Sequence, residues 1–256
     1  MPATLDQAAT LRAMAAGRRP AAAAACTRCH GDTGARTVWE NLGIALAASG
    51  HRTLLLPLAY GSFWRREAAA EEAEAPGIGD HYGLFRAEAP VPAAAGGRGL
   101  ADLLSGRHAL AGGMEVLLLE CGYGSSSRAR DILPLAPTML LVFTCDAHSV
   151  LASYELVKRV ARARLEAGLP EQRLLLLANK APSPEAGREA LKRFCGAAGN
   201  FLGLRPAPIG ALPFDARVGE ARAAGLPVSV LFPDCGFSKS AAAAAENLME
   251  ELCRTR

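Results

Sequence analysis

A short stretch near the amino terminus combines glycines, cysteines, a histidine and a carboxylate. Residues 26–37 have the sequence CTRCHGDTGART. A glycine-containing loop that leads from a strand into a helix can present its backbone N–H groups to a phosphate, and Gly31 and Gly34 suit such a loop. Arg36 would add a positive charge, whereas Asp32 places a negative charge where phosphate must approach. Gly31, Gly34 and Arg36 are the candidates for any weak nucleotide binding here; the alternative is that the glycines only turn the chain.

The same stretch matches C-x-x-C-H, the attachment sequence of c-type haem. Cys26 and Cys29 would form the two thioethers, and His30 would be the proximal iron ligand. Haem attachment takes place outside the cytosol, however, and we find neither an export signal nor a convincing distal methionine. A zinc site would need a fourth ligand beside these three residues. Haem and zinc are therefore remote alternatives.

Residues 4–16, TLDQAATLRAMAA, precede this loop and have the pattern of a short helix. Its weak apolar stripe consists of Leu5, Ala8, Leu11 and Ala15. Such a helix buries little surface by itself and suits docking on a partner. The glutamine in its first turn, Gln7, carries a donor and an acceptor and can orient an attacking water, as glutamine does in GTPases. Residues 17–20 indicate a linker after it.

The elements behind these residues are predicted from unalternating apolar runs, which are typical of strands buried on both faces of a parallel sheet. The predicted strands are residues 21–29, 52–58, 115–119, 138–144, 173–178 and 206–212. The predicted helices are residues 36–48, 147–167, 184–201 and 239–253, with a short one near Leu100–Leu104. Residues 62–83 are expected to form an exposed excursion. The order predicts a single α/β domain over residues 21–256, with a mostly parallel twisted sheet and helices on both faces, behind a detached N-terminal helix and linker at residues 1–20.

The overall composition limits the classes of function. Half of the 256 residues are hydrophobic, which is enough for one large domain. The net charge of +3 gives no indication of nucleic-acid binding. The seven cysteines are scattered, which is typical of reduced thiols in the cytoplasm. No stretch approaches the roughly 20 apolar residues that span a bilayer, so we expect a cytoplasmic protein.

Four segments at predicted strand ends carry a resemblance to a known family. They are the loop followed by Asn41-Leu42, ECGYG at 120–124, Asn179-Lys180, and GALPFDARV at 210–218. Together they resemble the K-G-G-V-G-K-[ST] loop with its Asn-Leu pair, the D-T-G-A-G switch segment, the base-contacting Asn and the G-x-[IL]-P-x-D-x-x-V motif of the MinD/ParA-type P-loop ATPases of the SIMIBI class. The resemblance covers residues 22–253. It implies nucleotide contacts at Gly31, Gly34, Arg36, Thr37, Glu120 and Asn179.

Within that resemblance, the side chains that would hold ATP are replaced. The first lysine of the loop is His30, the phosphate-gripping lysine is Ala35, and the Mg²⁺-binding hydroxyl is Arg36. The carboxylates of the family's D-A-D are missing at residues 57–59, and the switch aspartate is Glu120. Losing about three charge-assisted contacts, at roughly 1.5–3 kcal/mol each, removes several decades of affinity. We therefore predict a pseudo-ATPase that needs no cofactor and binds ATP and Mg²⁺ weakly if at all; an active switch with a divergent loop is the alternative.

Residues 6–12, DQAATLR, resemble the D-Q-A-x-x-L-R motif of FlhG-type regulators of flagellar number, which belong to the MinD-like proteins. The resemblance implies that this helix binds and stimulates an SRP-type GTPase that places the flagellum at the pole. Gln7 would complete the partner's catalytic site in trans. The partner-binding residues would be Asp6, Gln7, Ala8, Leu11 and Arg12. The alternative is an ordinary solvated helix.

The resemblance also sets expectations for assembly and location. Flagellar transcription regulators and switch-complex proteins are further expected partners. Because His30 and Ala35 remove the contacts through which ATP joins two subunits, we expect a monomer or a nucleotide-independent dimer. The closing helix over residues 239–253 lacks a basic stripe, so we expect it to pack on the sheet. Membrane contact would then be indirect, through a partner that recruits the protein to the cell pole.

Overall fold

Runs of buried aliphatic residues form the central strands of one sheet. The computed structural model of the chain describes residues 22–28, 33–57, 78–87 and 113–254. Leu118, Leu141 and Leu176 lie in three of these strands and are fully buried. Strands covered on both faces need no alternation of polar and apolar residues, which is why the sequence shows unbroken apolar runs.

The sheet has eight strands in the order β3-β4-β2-β5-β1-β6-β7-β8. The strands are β1 (Ala22–Arg28), β2 (Thr53–Pro57), β3 (Ile78–His81), β4 (Leu84–Ala87), β5 (Val116–Tyr123), β6 (Thr138–Thr144), β7 (Arg173–Ala181) and β8 (Ala207–Pro213). All neighbouring strands are parallel except β3, which runs antiparallel to β4 at the edge. The described helices are α1 (Ala35–Ala48), α2 (Ser127–Ile132), α3 (Ala147–Glu166), α4 (Pro184–Leu202), α5 (Arg217–Ala223), α6 (Val228–Leu231) and α7 (Gly236–Cys253). The predicted fold class is confirmed.

Helices cover both faces of the sheet and enclose two cores. On one face, α2, α3 and α4 pack over the strands, and the rings of Phe143 and Phe194 lie 5.3 Å apart between centroids. On the other face, α1 and α7 pack side by side. There, the indole N–H of the buried Trp39 donates to the carbonyl of Leu118 at 3.0 Å, which fixes α1 on β5.

The expected exposed excursion over residues 62–83 is wrong in its last part. β3 and β4 form a hairpin, and β4 extends the sheet by pairing in parallel with β2. The turn residues Tyr82 and Gly83 both have positive φ, at 57° and 77°, which is the geometry of a type I′ hairpin turn. Two strands of four residues each give too short a pattern to predict a hairpin from apolar runs. The rest of the excursion lies outside the described residues.

Other differences from the sequence-based expectations are small. The short helices α2, α5 and α6 were not predicted, because segments of four to seven residues carry little helical periodicity. Helix α7 begins three residues before the predicted start, with the sulfur of Cys235 accepting from the Ser238 N–H. The predicted helices over residues 4–16 and near Leu100–Leu104 lie outside the described residues. In the part of the chain that is described, no helix is both long enough and apolar enough to cross a membrane.

Candidate functional site

The amino end of α1 lies at the carboxyl edge of the sheet, close to where β1 ends. Gly34 is the N-cap residue and has φ of 71°, a left-handed conformation that favours glycine. No side chain caps the helix, and its first turn contains no acidic residue. The first N–H groups and the helix dipole therefore provide the backbone part of an anion site. The loop residues Cys29, His30, Gly31 and Asp32 lie outside the described residues.

Asn179, at the carboxyl end of β7, braces this loop. Its side-chain amide donates to the carbonyl of Thr33 at 2.7 Å, and the residue is almost fully buried. A Cβ added to Gly34 would lie 2.7 Å from the Asn179 amide nitrogen, so the amide approaches the glycine too closely to admit a side chain. The resemblance assigned Asn179 a contact with the base, and the geometry adds a contact with the loop.

Lys180, the next residue along β7, brings a cation to the same place. Its φ is 54°, and its Cε lies 3.7 Å from where a Cβ on Gly34 would be. Lys180 and Thr33 also line one cavity. Thr33 is buried, and its hydroxyl has no hydrogen-bond partner among the described residues. Sequence reasoning gave Lys180 no role at the loop, although its position directly after Asn179 at a strand end was an available indication.

The first three residues of α1 are alanine, arginine and threonine. Ala35 is 6% exposed and packs in the core beneath α1. Arg36 is half-buried. The Thr37 carbonyl accepts from the amide of Asn41 at 2.8 Å, and the oxygen of that same amide accepts from the Ser229 N–H at 2.9 Å. Asn41, half of the Asn-Leu pair, therefore holds α1 against α6.

A second part of the edge is formed by the ends of β2, β1 and β5. Pro57 and Cys26 both lie in register with Glu120 on β5. Glu120 is 9% exposed. The pKa of the neighbouring Cys121 thiol is raised, mainly because the thiol is buried and also because it lies beside the negative charge of Glu120. Mg²⁺ prefers several oxygen ligands in octahedral geometry. Pro57 offers no side-chain oxygen, so Glu120 is the one carboxylate at this level of β2, β1 and β5.

Asp215 orders the loop that follows β8. It accepts from the N–H groups of Arg217 at 3.0 Å and Phe237 at 3.3 Å. Burial opposes its charged form, but these hydrogen bonds outweigh burial and keep the pKa of Asp215 below its usual range. The preceding Phe214 is 69% exposed. The aspartate of the G-x-[IL]-P-x-D segment thus ties the loop to the start of α7.

The structure brings some of the predicted site residues together. Gly34 and Asn179 are in close contact, while Glu120 lies on β5 in register with Cys26 of β1. The partner-binding residues Asp6, Gln7, Ala8, Leu11 and Arg12 lie outside the described residues, as does Gly31. The described residues contain no group of three or more histidines, cysteines or carboxylates placed to hold a metal ion. The haem and zinc alternatives stay predictions, because Cys29 and His30 are not described.

Comparison with solved structures identifies the fold. The chain is similar to the cell division ATPase MinD of Pyrococcus furiosus, with a TM-score of 0.65 and 19% identity over 90% of this chain and 99% of that one. MinD of Aquifex aeolicus gives a TM-score of 0.67 and 16% identity over 90% and 97% of the two chains. A ParA family ATPase from Chlorobium tepidum gives 0.63 and 15% over 88% and 98%. A scan against protein-family models and a search of curated proteins each give no match.

The fold of the chain follows from these comparisons. The chain has the fold of the MinD/ParA-type P-loop ATPases over almost its whole length and almost the whole length of each of those structures.

Proposed function

We propose that this chain is a MinD-like regulator of flagellar number or placement that lacks an ATPase cycle and stimulates an SRP-type GTPase. The observation that carries the first half of the proposal is the start of α1. Gly34 keeps the left-handed turn of a phosphate loop, yet the next residue is a buried alanine where the MinD/ParA family has its phosphate-gripping lysine. The backbone of the site remains, and its charged side chains are replaced.

The free energy of the replaced charge-assisted contacts supports a loss of ATP hydrolysis. Phosphoryl transfer depends almost entirely on positioning and on neutralising charge with lysine and Mg²⁺. The hydroxyl position holds Arg36, and the end of β2 holds Pro57. With these ligands replaced, a chelated Mg²⁺–ATP complex has too few contacts for tight binding, since each charge-assisted hydrogen bond contributes about 1.5–3 kcal/mol.

The second half of the proposal rests on the sequence of residues 6–12. Gln7 would enter the partner's site and orient the attacking water, Asp6 and Arg12 would anchor the helix, and Leu11 would fill an apolar pocket, with Ala8 allowing close approach. A flagellar transcription regulator or switch-complex proteins are further proposed partners. We place the protein in the cytoplasm, as a monomer or nucleotide-independent dimer recruited to the pole and membrane only by its partner.

GTP hydrolysis by the partner tests this proposal. We expect the full chain to raise the GTPase rate of an SRP-type flagellar GTPase by about tenfold or more, because an oriented water and added charge contribute large factors in such sites. Gln7→Ala should abolish the effect. Thr10→Ala, at a position that the motif leaves open, should preserve it. Equal stimulation by Gln7→Ala, or none by the unaltered chain, would rule out the proposed role.

A second candidate function is an ATP-dependent switch with a divergent loop. It is favoured by Lys180, which lies against Gly34 and lines the same cavity as the Thr33 hydroxyl. In this case Lys180 would replace the missing loop lysine. The candidate requires ATP-dependent dimerisation and measurable hydrolysis at millimolar Mg²⁺–ATP.

A further inference from the structure

Residues 120–124, which resemble the switch segment of the MinD/ParA family, lie along the end of β1 and belong to β5 as far as Tyr123. Cys26 is in register with Glu120, and Arg28 is in register with Tyr123. β5 therefore has one more residue than β1 between these two pairs, which is the arrangement of a β-bulge. The bulge keeps the segment paired with β1 beyond Glu120.

Three contacts fasten this segment to β1. The hydroxyl of Thr27, a residue that is 1% exposed, donates to the carbonyl of Gly122 at 3.2 Å. The Gly124 N–H donates to the carbonyl of Arg28 at 2.7 Å. The guanidinium carbon of Arg28 lies 4.2 Å from the centre of the Tyr123 ring, which is a cation–π contact. Three consecutive residues of the segment are thus each tied to the end of β1.

Helix α3 packs against the same segment. Gly124 is buried, and a Cβ added to it would lie 2.3 Å from a methyl carbon of Leu156 on α3. Leu156 is itself 2% exposed and belongs to the core on this face of the sheet. Displacement of Gly124 would leave a gap beside this leucine in a close-packed interior. Directly after the segment, the Ser126 hydroxyl accepts from the Ala129 N–H and caps α2.

We propose that contacts within the protein lock residues 120–124 in one conformation, so that this segment does not respond to nucleotide. A nucleotide switch uses a segment that the γ-phosphate and Mg²⁺ order and that is released after hydrolysis. Here Thr27, Arg28 and Leu156 already hold the segment. A nucleotide can move it only by favouring a second conformation strongly enough to break these contacts.

The lock and its consequence stand on different grounds. The lock is a property of the chain without nucleotide, and it would persist in a chain that binds ATP. Its consequence rests on the proposed function: a protein without an ATPase cycle would present the same surface to its partners at every nucleotide level.

Amide hydrogen exchange of the full chain without nucleotide tests the lock. In the unaltered chain, the Gly124 amide should exchange at least about a hundredfold more slowly than in an unstructured peptide. Thr27→Val keeps the buried volume but removes the hydroxyl, and should speed exchange at residues 122–124 by about fivefold or more. Arg28→Gln removes the contact with the Tyr123 ring and should act in the same direction.

Thr53→Val is the matched control. Thr53 is also fully buried, and its hydroxyl donates to the carbonyl of His51 at 3.1 Å, at the amino edge of the sheet. The substitution is chemically the same and removes the same kind of hydrogen bond, but far from the segment. Exchange at residues 122–124 should therefore stay within about twofold of the unaltered chain.

Millimolar Mg²⁺–ATP tests the response to nucleotide. Exchange at residues 120–124 should stay within about twofold of its value without nucleotide, while calorimetry on the same sample records whether ATP binds. Binding without a change in exchange would contradict the proposed loss of ATP binding and support the lock, so the two proposals fail separately.

Several results would overturn the lock. One is a Gly124 amide that exchanges in the unaltered chain as fast as in an unstructured peptide. Another is unchanged exchange in both Thr27→Val and Arg28→Gln, or an equal acceleration in Thr53→Val, which would indicate general destabilisation. A change of about fivefold or more on addition of Mg²⁺–ATP would show that the segment still responds to nucleotide.

Discussion

Two features of the structure disfavour a side chain at Gly34: its left-handed backbone and the close approach of the Asn179 amide. Each feature is a separate restriction on this position. The first restriction is local and follows from the start of α1. The second comes from β7, far away in sequence, through the hydrogen bond between Asn179 and the Thr33 carbonyl. A side chain at Gly34 would have to displace that amide. The loop is therefore held in this conformation by a contact between protein groups alone.

Alanine substitutions at two glycines, one with both restrictions and one with the left-handed backbone alone, should separate the two contributions to stability. Gly34→Ala should lower the free energy of unfolding by about 1–2 kcal/mol for the left-handed backbone, and by about 1–3 kcal/mol more for the lost Asn179 hydrogen bond. Gly225→Ala is the matched control, because Gly225 has φ of 69° and open space around it. Urea denaturation of both variants measures the difference. Equal losses in the two variants would mean that Asn179 does not hold the loop.

The sequence identified the position of this site but not all of its contacts. Gly34 and Asn179 were both predicted as nucleotide contacts, Asn179 through the family resemblance, and the structure brings them together. The loop contact of Lys180 was not predicted, since it depends on the path of a side chain over a glycine from another strand. The role of Asn41 as a link between α1 and α6 was missed for the same reason.

At the scale of elements, α3 is locked to the neighbouring chain segments by one buried arginine. The guanidinium of Arg164, in the last turn of α3, donates to the carbonyls of Pro134, Ala136 and Pro170. These carbonyls belong to the approach to β6 and to the connection that leads into β7. One side chain thus links the last turn of α3 to the segments that precede β6 and β7 at the amino edge of the sheet.

Removing this guanidinium should have a large effect on stability. Arg164→Met keeps much of the aliphatic volume but leaves the carbonyls of Pro134 and Pro170 without these donors, while the carbonyl of Ala136 still accepts from the Gln172 amide. We expect a loss of about 2 kcal/mol or more, since each buried unsatisfied group costs roughly 1–3 kcal/mol. Arg162→Met is the matched control on the same helix, as Arg162 is 80% exposed and pairs with Glu166 on the surface; its loss should stay below about 0.5 kcal/mol. Thermal or urea unfolding of both variants tests the contrast, and similar losses would refute it.

The elements themselves were predictable to different degrees. β6 was predicted at its exact bounds, because seven buried residues without alternation leave little choice. The β3–β4 hairpin was not predicted, because its strands are short and its pairing depends on the neighbouring β2 rather than on its own apolar content. Local patterns predict the strands that are buried from both sides, while the short strands β3 and β4 depend on tertiary contacts.

At the scale of the whole molecule, the fold does not depend on the side chains of the loop that precedes α1. Both cores consist of side chains from the sheet and the two helix layers, to which the start of α1 adds Ala35. The loss of ATP binding that we propose would therefore leave this hydrophobic stabilisation intact.

Calorimetric titration of the full chain with Mg²⁺–ATP, combined with phosphate release on the same sample, tests whether the chain lacks an ATPase cycle. Circular dichroism of that sample provides the control that the protein is folded. We expect no saturable binding tighter than about 1 mM, equivalent to roughly −4 kcal/mol, and no phosphate release above background. A dissociation constant in the micromolar range accompanied by Mg²⁺-dependent phosphate release would contradict it.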